Sequence, residues 1–173
     1  MAGSNGKQKT VRDMALSLGL IGIAAAVMYV FIPHDDSAPE VRRVDYRVEL
    51  LTARRAASYP VAAPEGLPQE WKATSVRFQG DDFDLWHLGF HAPDGQYVQI
   101  QQSTQKPSTF IDEASQGGEA TRTTQRIDGR TWTRYTGGRY DALVHTERGA
   151  TTVVAGTGSF AQLTEMTEAL RTE

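Results

Sequence analysis

The chain has 173 residues, 39% hydrophobic and 23% charged, with 18 Lys and Arg against 21 Asp and Glu. That length allows one ordinary domain, and a net charge of −3 argues against a general nucleic-acid binder, which carries a strongly basic face. With no Cys, the chain has no disulfide framework, thiolate zinc site, Cys nucleophile or lipid-modified Cys anchor.

Met14–Ile32 reads MALSLGLIGIAAAVMYVFI, 19 residues without a charge or a proline. At about 1.5 Å per residue this spans roughly 28 Å, close to the hydrocarbon core of a bilayer. Lys7, Lys9 and Arg12 precede it; Pro33, Asp35 and Asp36 follow. The basic flank predicts an N-terminus inside and the remainder outside. A cleaved signal peptide is the rival, with Ala24–Ala26 as its site, but the apolar run continues from Val27 to Ile32. Ala15, Gly19, Gly22 and Ala26 fall on one helical stripe. Small residues so placed let two membrane helices pack closely as a homodimer, although Gly and Ala are also simply common in such helices. The expected organisation is a cytoplasmic tail (1–13), a transmembrane helix (14–32), a linker (33–43) and an extracytoplasmic α+β domain (44–173). The chain is then a single-pass protein of the cell membrane.

Past the linker, an extended stretch from Val44 passes into a short helix over Leu51–Ala57, and Pro60, Pro64 and Pro68 mark a crossing loop. Strands are predicted near Ala73–Gln79 and over Asp84–His91, the latter with Trp86, Leu88 and Phe90 on one face. Pro93-Asp94-Gly95 turns the chain into Tyr97–Ser103, with Val98 and Ile100 inward. Pro107 opens a helix carrying Phe110, Ile111 and Ala114. Thr121–Ile127 and Arg130–Tyr135 flank the hairpin signal Asp128-Gly129; Ala142–Glu147 and Ala150–Ala155 flank Arg148-Gly149. Ser159 and Gln162 fit a capping box before a helix bearing Phe160, Leu163, Met166 and Leu170. Strands followed by a helix thus occur twice, a structural pseudo-repeat. The fold expected is α+β: an antiparallel sheet of about seven or eight strands, two or three helices on one face, tethered by the N-terminal helix.

Chemistry-bearing residues are sparse. His87 and His91 share a strand face, but i and i+4 on a strand lie about 13 Å apart, too far to chelate one metal. Gly156-Thr157-Gly158 lacks the Lys of a phosphate loop, and Ser159 is not in a G-x-S-x-G elbow. Asp81, Asp82 and Asp84 lack the calcium-loop order. Trp71, Trp86 and Trp132 read as core, with a ligand groove as the alternative. No catalytic, metal-ligating or cofactor-binding residue is singled out, so an enzyme is not expected. If Trp86, Leu88, Phe90, Val98 and Ile100 share the buried face, pairing parity gathers His87, His91, Tyr97, Gln99 and Gln101 on the other. Those groups suit an interaction face; under a helix or loop they would instead hydrogen-bond inside.

Three groups of stretches carry a resemblance: Ala63-Pro64-Glu65-Gly66-Leu67-Pro68 with Trp71 and Thr74–Phe78; Trp86–Phe90 with Ala92–Val98 and Gln102-Ser103; Trp132–Tyr135 with Thr151–Val154 and Gly158–Phe160. Together they resemble an uncharacterised actinobacterial family of short proteins with one N-terminal membrane helix, domain of unknown function 4245. The resemblance implies a membrane anchor and a cell-envelope setting, and no activity, cofactor or catalytic residue. The function expected is a non-enzymatic module that binds a protein or envelope component. The alternative is a tethered carrier or sensor of a small apolar or glycan ligand, and a cavity separates the two.

Overall fold

The structure, a computed structural model, describes residues 5–31 and 42–172. Ile32 and most of the expected linker, up to residue 41, lie outside the described residues. The chain divides into two units, Met1–Glu40 and Val41–Glu173.

The first unit contributes helix α1, Asn5–Phe31. It begins before Met14, with the good helix formers Lys7, Gln8, Lys9 and Arg12 in its polar flank. Val11–Tyr29 is long and apolar enough to cross a membrane, and none of its side chains is buried.

The second unit begins with α2, Arg47–Ala56, which starts four residues earlier than its apolar pattern implied. The short strand β1, Ala63–Pro64, interrupts the Pro-rich crossing. Then come β2 Lys72–Gln79, β3 Leu85–His91, β4 Tyr97–Ser103, helix α3 Pro107–Ser115, β5 Glu119–Ile127, β6 Arg130–Thr136, β7 Asp141–Glu147, β8 Ala150–Gly156, helix α4 Phe160–Glu168 and β9 Leu170–Arg171. Seven strands form one antiparallel sheet in the order β2-β3-β4-β8-β7-β6-β5. β1 pairs separately with β9. The α+β expectation and the strand number therefore hold. Leu170 is a correction: it lies beyond α4, in β9. The capping box forms, with Ser159 accepting from the Gln162 backbone N–H and the Gln162 side chain accepting in return from the Ser159 backbone.

The principal core lies on the face of Trp86, Leu88, Phe90, Val98, Ile100, Leu143 and Val154. α2 covers it with Ala53 and α4 with Leu163 and Met166, so two helices lie on that face as expected. α3 lies on the opposite face. Its Phe110, Ile111 and Ala114 pack against Ala142, Val144, Val153 and Ala155. The two strand-then-helix blocks thus share order and not packing. Beneath α3 the sheet is buried on both sides, as the unbroken apolar runs Ala142–Val144 and Val153–Ala155 require.

Candidate functional site

Polar and aromatic groups gather beside accessible space in more than one region. The first is the face of β2, β3 and β4 away from the principal core. The pairs His87↔Gln101, Gly89↔Gln99 and His91↔Tyr97 place all five expected residues there. They do not form one open surface. Gln99 is 5% exposed; its Nε2 donates to the Ala114 carbonyl of α3 at 2.9 Å, and its Oε1 accepts from the Tyr97 hydroxyl at 3.2 Å. Gln101 borders a recess at the start of α3 with Leu85, Phe110 and Glu113. His87, His91 and Tyr97 are half-buried. His91 and Tyr97 meet edge to face at 6.2 Å between ring centroids, and Tyr140 approaches Tyr97 at 6.0 Å.

Ser75, from β2, adds a contact that the sequence did not signal: its Oγ lies 3.0 Å from His87 Nε2. Space for this cluster comes from Gly89. A Cβ there would fall 2.6 Å from the Tyr97 hydroxyl oxygen and closer still to Ser75 Oγ. Burial, and after it the Arg77 charge, holds the His87 pKa below its ordinary value. Burial also raises that of Tyr97, with a smaller push from Tyr140, while a hydrogen bond with Ser75 acts in the opposite sense. The result is a neutral hydrogen-bonded patch partly roofed by α3.

The second region is a cleft of about 610 Å³ between residues 43–47 and 64–71. Val44 donates to the Ala73 carbonyl at 2.8 Å, laying the start of the domain along the β2 edge. Arg43 binds the carbonyls of Gln69 and Trp71, strapping the Pro-rich loop in place. The Tyr46 hydroxyl donates to the Pro64 carbonyl at 3.4 Å, and its ring meets Phe90 edge to face at 5.9 Å. Burial is the main cause of a raised Tyr46 pKa; Arg47 opposes it, and Glu65 and Asp45 add to it. Trp71, 4% exposed, donates its indole N–H to Glu165 of α4 at 3.3 Å. Phe90, Trp71, Tyr46 and Leu67 therefore make an apolar lining, and exposed Arg47 stands at the rim. Sequence reasoning found the Pro-rich loop but not the cleft, because the opposite wall comes from residues 43–47, about twenty positions earlier.

Asp84 accepts from the Ser58 backbone N–H at 3.1 Å and from its hydroxyl at 2.6 Å. All three tryptophans belong to the principal core. Among the described residues, no three His, Asp or Glu side chains cluster as metal ligands would. On α1, Ala15, Gly19, Gly22 and Ala26 are all exposed, and a Cβ at either glycine would meet nothing within 4 Å.

No curated protein matches the chain. Residues 7–170 match the family described as "Protein of unknown function (DUF4245)", and the chain belongs to that family.

Proposed function

We propose that this chain is a single-pass protein of the cell envelope whose domain, outside the cytoplasmic membrane, binds an envelope amphiphile in the cleft between residues 43–47 and 64–71. The observation that carries this reading is the cleft itself. Its volume, about 610 Å³, falls in the range of small-molecule sites, about 300–1,000 Å³. Its lining matches a ligand with an apolar body, set against Phe90, Tyr46 and Leu67, and an anionic or hydroxylated head beside Arg47. Binding rather than catalysis is favoured by how the polar groups are used. Arg43, Tyr46 and Trp71 each hold another part of the wall instead of converging on a reacting atom. The apolar span Val11–Tyr29 supports the tether, and the basic residues before it support an outward-facing domain.

A diazirine-bearing fatty acid in phosphatidylcholine nanodiscs tests this with the full chain. Peptide mapping after irradiation is expected to find label on residues 42–73, reduced severalfold by Leu67→Asp and by Arg47→Glu. Label confined to α1, or unchanged by both substitutions, contradicts the proposal.

A further inference from the structure

We infer that a second cavity, on the principal core face at the end carrying the β7–β8 turn, is a binding site for a small carboxylate. It stands independently of the cleft. The pairs Trp86↔Gln102, Gln102↔Thr152 and Thr152↔His145 run across β3, β4, β8 and β7 as one row on the principal core face, next to the apolar row Leu88, Ile100, Val154 and Leu143. Polar residues in such a row require partners. Gln102, 4% exposed, has them: its Oε1 accepts from the Ala62 backbone N–H at 2.6 Å, and its Nε2 donates to Thr152 Oγ1 at 3.0 Å. Next to this row the packing opens into a cavity of about 70 Å³. Gln102, Thr152, His145 and Trp132 line it together with Tyr59, Pro60 and Leu170, and Arg130, Glu147 and Arg148 bring charge to its wall.

The chemistry of the lining is unbalanced toward donors. Trp132 is 3% exposed, and its indole N–H is buried without an acceptor among the described residues. The other two tryptophans have theirs, Ala62 for Trp86 and Glu165 for Trp71. Thr152 accepts from Gln102 and keeps its own hydroxyl hydrogen to donate. Nδ1 of His145 lies 3.0 Å from the Thr131 carbonyl, so that nitrogen carries a hydrogen; Nε2 faces Glu147 at 3.5 Å. Arg130 and Arg148 share the single carboxylate of Glu147 at 3.6 and 3.7 Å, longer than charge-assisted hydrogen bonds. Both guanidinium groups therefore retain donors. A buried N–H without an acceptor, in the wall of a cavity that two solvent-exposed cations also line, is matched by an acceptor-only ligand. The size of the cavity and the standing charge of Glu147 select a planar monoanion over a bulky dianion.

The test uses the full chain, labelled with ¹⁵N at its three indoles, in an uncharged detergent. Trp132→Phe assigns the Trp132 signal. Acetate is titrated at constant ionic strength against chloride. The expected result is a saturable downfield shift of the Trp132 indole proton while those of Trp71 and Trp86 stay still. Arg148→Gln, whose side chain is 74% exposed and leaves the fold alone, should weaken binding about three- to tenfold. N-acetylglycylglycine in place of acetate separates two sources of the same group. Tighter binding assigns the site to a peptide terminus, and equal binding to a free acid. A linear shift, the same shift in chloride alone, equal movement of all three indoles, or saturation by inorganic phosphate below the acetate range overturns the assignment.

Discussion

Gly89 is the residue on which the polar face of the sheet turns. Any side chain there would meet Ser75 and Tyr97. Gly89→Ala should therefore cost about 1–3 kcal/mol, the usual range for overpacking. Ser75→Ala in the same background should return part of it, a coupling that chemical denaturation of the four-member cycle measures. His87 makes a second prediction. Burial and Arg77 hold its folded pKa below 6.5, so on acidification the unfolded chain takes up this proton first. The stability contributed by neutral His87 is complete above pH 6.5 and is lost as pH falls from there through the folded pKa. Melting temperatures between pH 8 and 5 should fall less for His87→Gln, which keeps a partner for Ser75 without the titration; parallel curves would refute this. Parity along β3 and β4 made the face of His87, His91, Tyr97, Gln99 and Gln101 legible in advance. Ser75 was not legible as a partner of His87, because which β2 residue comes near His87 depends on the register Ser75↔Gly89, which the turn between the two strands sets and no local pattern encodes.

Among the elements, α4 joins several parts of the domain. Leu163 and Met166 fill the core, Glu165 receives the Trp71 indole, and Thr164 accepts from Gln125 of β5 at 2.8 Å. Ser159→Ala should cost about 0.5–2 kcal/mol through the lost cap. Leu163→Ala, at a fully buried position, should cost about 2–5 kcal/mol. Urea unfolding of the two variants checks both magnitudes, and the larger loss must belong to Leu163. The strands and this helix could be read from turns and periodicity because each signal is local: Asp128-Gly129, Arg148-Gly149 and the S-x-x-Q cap. The placement of α3 could not be read that way. Its apolar face is visible in Phe110, Ile111 and Ala114, yet which side of the sheet it covers depends on the long return from β4 to β8. The one hint lay in the unbroken runs Ala142–Val144 and Val153–Ala155, which a one-sided sheet would not carry. β1 and β9 escaped notice because two-residue strands have no period to detect.

On the scale of the whole molecule, the chain combines an apolar span, Val11–Tyr29, with no buried side chain and a sheet domain that encloses its own core. The proposed function requires the cleft to open outside the cytoplasmic membrane. The absence of native Cys permits a direct measurement with a single introduced thiol. Arg47→Cys places it at the exposed rim of the cleft, and Gly3→Cys places another before α1. Full-length variants in intact cells are treated with a membrane-impermeant maleimide, then again after permeabilisation. The account predicts that the thiol at position 47 reacts in intact cells and that the thiol at position 3 reacts only once the membrane is opened. Reaction at position 47 only after permeabilisation would contradict it.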